Sequence, residues 1–202
     1  RIRKIPKISW MKHPYRDRFF ADPFILESNE CTITLLAEEC VFNEHKGRIS
    51  HLTIDRRTKK LIDRKVLLEL DTHLSYPIIV RVGDATYVVP ENWQGGKVSY
   101  YQLSLDLSKL RLIHKGILIN QPLVDSTVFR HKDKYYLIAT QFPNTQSDLH
   151  LFQSERSLGE YDYKGCVVRG YRSRPAGNVF MVGGSMFRPA QNCIERYGAS
   201  ID

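Results

Sequence analysis

The chain has 202 residues, enough for one sizeable hydrophobic core or two small ones. With 42% hydrophobic and 26% charged residues it has the balance of a folded globular protein, which excludes disorder, a collagen-like fibre and a disulfide-dense miniature scaffold. Its 30 Lys and Arg against 22 Asp and Glu give a net charge of +8, yet the basic residues are scattered beside turn residues, as in Arg56-Arg57 with Lys59-Lys60, so the expectation is a solvated surface and no nucleic-acid partner.

The N-terminus, Arg1-Ile2-Arg3-Lys4, is basic but runs into Pro6 and Lys7 without the apolar stretch of a signal peptide, and the missing initiator Met implies a trimmed start. No apolar run approaches the roughly 18 residues of a membrane span. A cytoplasmic location is the resulting expectation. Cys31, Cys40, Cys166 and Cys193 form no CxxC pair and show no ligand spacing with the seven dispersed histidines. Buried free thiols and no metal or other cofactor are expected.

The first strand-like run, Ala21–Leu26, meets a turn at Ser28-Asn29-Glu30 and a second run, Leu35–Glu39. Gly47–Asp55 and Val66–Leu70 add a third and a fourth. The pattern then recurs: Ser75–Val80, the turn Val82-Gly83-Asp84, Tyr87–Glu91, Lys97–Leu103 and Ile117–Ile119. A third unit holds Val124–Phe129, the turn His131-Lys132-Asp133, Tyr135–Thr140 and Leu149–Gln153. A fourth begins at Ala176–Phe180, turns at Gly183-Gly184 and continues through Ser185–Ala190. Taking Asp22, Tyr76, Asp125 and Gly177 as equivalents gives intervals of 54, 49 and 52 residues. A period near fifty with about four short antiparallel strands is that of a β-propeller blade. No segment carries an apolar 3.6-residue period over three turns, so the fold is expected to be all-β. Because the fourth unit stops short, either Ile2 to Phe20 supplies the missing strands or, the preferred expectation, the single domain spanning residues 1–202 continues beyond residue 202.

Gly183-Gly184 and Gly95-Gly96 read as hairpin turns and not as phosphate loops, since no helix follows them. Ser126 and Ser185 lack the surroundings of a nucleophile elbow.

The unit openings and their spacing resemble the five-bladed propellers of the family-43 glycoside hydrolase clan. Several segments are more specifically similar to the propeller domain N-terminal to glucosamine inositolphosphorylceramide transferases and in bacterial formyltransferase-fused relatives. They are Phe20-Ala21-Asp22-Pro23-Phe24, Gly47-Arg48-Ile49-Ser50, Tyr76-Pro77, Val89-Pro90-Glu91, Leu123–Thr127, Arg174–Asn178 and Phe187–Cys193 with Tyr197-Gly198. The resemblance implies a five-bladed propeller whose innermost strands meet at one funnel. It further implies a general base at Asp22 and, at Asp125, a second aspartate that tunes the acid and orients a sugar. The hydrolases carry their general-acid Glu at the opening of the fourth blade, where this sequence has Pro175-Ala176-Gly177-Asn178. An amide is no proton donor at neutral pH. Glu91 or Glu38, each ending the second strand of a unit, is left as a substitute acid.

Ring faces stack on the C–H faces of sugars, which makes Tyr76 and Trp93 candidate ligand contacts. Arg188 and Gln191 follow as polar contacts, Arg188 being suited to a phosphate or uronate. Three functions follow: a carbohydrate-binding or substrate-presenting module that serves a glycan-modifying transferase domain in the same longer chain, a glycoside hydrolase with Asp22 as base and a displaced acid, or a protein-interaction propeller. The partner expected is an oligosaccharide or glycoconjugate.

Overall fold

A computed structural model describes residues 8–106 and 109–202. Their regular structure is β-sheet apart from one 3-10 turn, Trp93–Gly95. The first sheet contains β1 (Arg18–Ser28), β2 (Thr32–Val41), β3 (Lys46–Asp55) and β4 (Leu61–Leu68) in chain order. The second is built the same way from β5 (Ser75–Val82), β6 (Ala85–Glu91), β7 (Val98–Asp106) and β8 (Lys109–Ile119). The third is the meander of β9 (Leu123–His131), β10 (Lys134–Gln141), β11 (Asp148–Ser154) and β12 (Asp162–Arg169). Two short hairpins follow, β13 (Phe180–Val182) with β14 (Ser185–Phe187), and β15 (Gln191–Asn192) with β16 (Ser200–Ile201).

The first strands of the sheets lie side by side: β5 packs on β1 and β2, and β9 on β5 and β6. This is a β-propeller in which three four-stranded blades and a shorter fourth unit follow one another. All four turns expected between first and second strands are present.

Three details differ from the sequence expectation. The third unit has a fourth strand, β12, whose mostly exposed residues and central Gly165 give it no clean alternation. β4 and β8 begin several residues earlier than their apolar ends at Val66 and Ile117, because these outer strands pair through largely solvated residues. Ala176–Phe180 is not a continuous strand. Pro175 has no N–H for a ladder and makes only an isolated bridge with Ala190, and regular pairing starts at Phe180.

Packing follows the two-residue alternation of each strand. Leu36 and Ile49 face the second blade, where Leu74, Val88, Tyr101 and Leu112 complete one cluster. Leu35, Ala37, Leu52 and Ile54 face the other way, against Met11, Phe20 and Leu61. A larger cluster joins the second and third blades through Ile78, Val80, Leu123, Leu137 and Phe152. The four cysteines are free thiols; Cys40 is buried as expected, whereas Cys31 is exposed because it sits in the β1–β2 turn.

Candidate functional site

The blade openings share a backbone device. Asp22, Tyr76 and Asp125 all adopt the left-handed conformation, with φ of 47°, 43° and 52°. Each stands at a break in the register of its first two strands, between Ala21 and Phe24, between Ser75 and Ile78, and opposite the step from Ile138 to Thr140. Such bulges re-aim side chains, and a non-glycine residue held there costs on the order of 1–3 kcal/mol. The fourth equivalent, Gly177, has φ of 136° and accommodates its turn without that cost. The same alignment pairs Ala21 with Glu38, Ser75 with Glu91 and Val124 with Thr140, so Glu38, Glu91 and Thr140 occupy matching places on the second strands.

Asp22, Glu38, Tyr76, Glu91, Trp93 and Gln191 line one cavity of about 850 Å³. His73, Arg174, Asn178 and Tyr197 line it as well. Asp125 lies behind this wall, 1% exposed, where its Oδ2 accepts from Arg174 Nε at 2.5 Å and from Gln191 Nε2 at 3.0 Å. Burial pushes its carboxyl up, and the guanidinium opposes that shift. Arg174 also lies 5.3 Å from the Tyr197 ring centroid.

Glu91 holds both oxygens as acceptors: Oε2 takes the Ser75 hydroxyl at 2.7 Å and Oε1 the Trp93 backbone N–H at 2.8 Å. The Trp93 ring stacks on Phe142, with centroids 4.0 Å apart. Burial raises the Asp22 carboxyl, countered by a hydrogen bond from the Tyr76 backbone N–H and by the charges of Arg174 and His73. Glu38 is the most displaced group on the cavity wall. Burial first, then the charges of Asp22, Glu91 and Asp125, push its carboxyl up to about 8. His73 Nε2 stands 3.3 Å from its Oε1. His73 is set by Gly47, whose N–H donates to Nδ1 at 3.0 Å, leaving Nε2–H as the edge turned to Glu38.

Tyr76 ties four units together. Its ring packs edge-on against Phe24, and its hydroxyl accepts from the Gly177 N–H at 2.7 Å while lying 2.9 Å from Thr127 Oγ1. At 2% exposure it offers a ligand little more than its rim.

Arg188 is not among the residues lining the cavity. Its guanidinium is spent on backbone carbonyls, that of Arg172 at 2.6 Å and, more weakly, those of Ser173 and Pro189 at 3.5 Å. The arginine at the cavity is Arg174. Arg174, His73 and Tyr197 were not singled out from the sequence as site residues, although Arg174 and Tyr197 lie in segments that carried the family resemblance. Gly47 belongs to such a segment too, and the structure supplies the reason: a Cβ there would stand 2.3 Å from the Leu74 carbonyl oxygen and 2.9 Å from the His73 ring.

Residues 7–202 match the family described as glucosamine inositolphosphorylceramide transferase 1, N-terminal. The chain belongs to that family. It is similar to the Arabidopsis thaliana protein named glucosamine inositolphosphorylceramide transferase 1, at 29% identity over 91% of this chain and 25% of the relative. The chain thus spans about a quarter of the length of the curated relatives it matches. Among solved structures it resembles an exo-β-1,3-galactanase of Phanerochaete chrysosporium with galactose, with a TM-score of 0.68 at 11% identity, covering 92% of this chain and 45% of that one. An α-L-arabinofuranosidase of Podospora anserina in complex with cellotriose gives 0.64 at 12% identity, with coverage of 87% and 61%. These likenesses establish the fold of the family-43 five-bladed propeller for a member of the transferase N-terminal family.

Proposed function

We propose that this domain holds a carbohydrate in the cavity between its blade openings and presents it to a glycan-modifying transferase domain of the same longer protein. The observation that carries this reading is the convergence of strained blade openings and carboxyl groups on one concave site flanked by the Trp93–Phe142 stack. Sugars need both kinds of surface: polar groups for hydroxyls and ring faces for C–H edges. The place of the domain within much longer relatives, and the names of those relatives, support the transferase partner. The test is isothermal titration of the full-length protein with galactose, glucose and N-acetylglucosamine, alongside Trp93→Ala and Asp22→Asn. Binding by the parent that both variants weaken about tenfold is expected. A protein that binds none of the three, or whose variants bind unchanged, overturns the reading.

A second reading, hydrolysis, is favoured by the state of Glu38. Asp22 would take a proton from water as the water oxygen attacks the anomeric carbon. Glu38 would give its proton to the departing oxygen as the glycosidic C–O bond breaks. Glu91, with both oxygens already accepting, is less suited to donate. Release of reducing sugar from an oligosaccharide panel by the parent, lost in both Asp22→Asn and Glu38→Gln, is the signature of this reading. Binding without release excludes it.

A further inference from the structure

Resting on the sugar-holding reading, we propose that Glu38 recognises the ligand as a protonated carboxylic acid, donating its O–H to a sugar oxygen, so that the site binds only while that proton is present. Glu38 is nine-tenths buried on the cavity wall and makes no hydrogen bond among the described residues. An ionised carboxylate in such a place needs a cation or several donors. The guanidinium nearest the site, Arg174, is committed through Nε to Asp125. What faces Glu38 instead is negative, Asp22 from β1 and Glu91 from β6, with a smaller contribution from Asp125 on β9, which lies behind the wall against Arg174 and is itself raised by burial. The remaining titratable neighbours do not reverse this. Tyr76 on β5 is neutral, held well above its ordinary value by burial, and Tyr197 is likewise raised.

His73 settles which oxygen carries the proton. With Nδ1 filled by the Gly47 N–H, its Nε2–H edge faces Oε1 at 3.3 Å, outside hydrogen-bond alignment but near enough to favour the lone pairs of that oxygen over a proton there. The proton then resides on Oε2, free of protein partners and available to the cavity. Asp22 and Glu91 present oxygens that can accept hydrogen bonds from sugar hydroxyls, while Asp125 is held behind the wall by Arg174 and Gln191. Glu38 supplies a side-chain donor beside the acceptor oxygens of Asp22 and Glu91, and the complementary ligand feature is an oxygen with lone pairs, such as a ring, glycosidic or acyl oxygen. Its position at about 8 sets the window in which the donor exists.

The experiment is a pH series of binding, from about pH 6 to about pH 9, by the full-length protein with galactose, glucose and N-acetylglucosamine. The parent's affinity should hold up to about pH 8 and then fall, by as much as tenfold per pH unit, as one proton is required for binding. Glu38→Gln keeps a donor that does not titrate, so it should bind within a few-fold of the parent at pH 6 and lose the fall. Glu38→Ala should bind weakly throughout. A fall that persists in Glu38→Gln, a parent affinity flat in pH, or an affinity that rises with pH overturns the proposal and leaves the sugar-holding reading intact. Failure of all three sugars to bind at any pH overturns both.

Discussion

Glu38 and Glu39 are neighbours on β2, yet the alternation of the strand sends them to opposite faces and into opposite electrostatic surroundings. Glu39, with no exposed surface, is saturated: Arg18 and Arg64 donate to it, Ser50 Oγ donates at 2.6 Å, and Arg48 stands 3.8 Å away. Its carboxyl is held below the ordinary range despite burial, because those donors outweigh desolvation together. Glu38, equally a buried glutamate, meets carboxyl groups and one imidazole and is driven the other way. One face of the strand uses a carboxylate to bind a blade together. The other keeps a carboxylic acid that the fold itself does not satisfy. A buried polar group without partners in the protein marks a place where the fold leaves room for something else.

The comparison is broken most severely on the structural side. Glu39→Ala removes the anion that Arg64 pairs with and the buried partner shared by Arg18 and Arg48, which keep Asp17 and the pair Glu44 and Glu69 respectively, and should cost about 3 kcal/mol, the lower part of the range for a broken buried ion pair because the arginines reach solvent and two of them stay paired. Urea unfolding measures it; a loss below about 1 kcal/mol would mean that the cluster only balances its own desolvation.

Gly47→Ala attacks the joint between the two faces. Gly47 donates its N–H to His73 and accepts the Leu74 N–H at 3.0 Å, so it cannot retreat from the carbonyl that a Cβ would strike. A cost of about 2 kcal/mol is expected from such overpacking. Sugar affinity should drop as well, since His73 would turn away from Glu38. Unchanged stability with unchanged binding would show that the 73–74 segment moves freely.

Much of this was legible in the sequence, and the boundary is instructive. The interval of about fifty residues placed Asp22, Tyr76, Asp125 and Gly177 in register, and the backbone repeats its left-handed turn at the first three, with a glycine at positive φ at the fourth. Turn chemistry and β-branched runs located the inner strands, because those strands are buried and their composition is constrained. Outer strands such as β12 face water on much of their surface and leave no such trace. The choice of Arg188 over Arg174 has a similar origin. An arginine's reach is long, and whether its guanidinium meets a carboxylate or a backbone carbonyl depends on how the loop after β14 folds, which periodicity does not encode. Likewise alternation says that Glu38 and Glu39 face apart, but only the packing of the second blade decides which one meets the cavity.

The acid dependence of stability sharpens the contrast by its sign. For Glu38 the folded state keeps a proton that the unfolded chain releases above the ordinary 4.5. Between there and about 8 the unfolded state binds fewer protons, so stability falls as pH rises and then levels off. Glu39 acts oppositely: its contribution is present above the ordinary 4.5 and is lost as pH falls through its lowered folded value. Glu38→Gln should therefore match the parent near pH 4.5 and exceed it by a margin that grows up to about pH 8. Chemical denaturation at a series of pH values reads this directly, and a difference that shrinks with rising pH would reverse the assignment.

The smallest effect is expected where the third blade departs from the first two. Thr140 stands in the place of Glu38 and Glu91, and among the described residues its buried hydroxyl finds no hydrogen-bond partner; nor does that of Ser126 nearby on β9. A hydroxyl already stranded has a desolvation cost and no bond to lose, so Thr140→Val should leave stability unchanged or raise it by up to about 1 kcal/mol. A loss of more than about 1 kcal/mol would mean that bound water satisfies Thr140. In that case the third blade would carry a hydrated polar pocket at the same depth where the first carries Glu38 and the second Glu91, and the polar ring around the funnel would extend through all three blades.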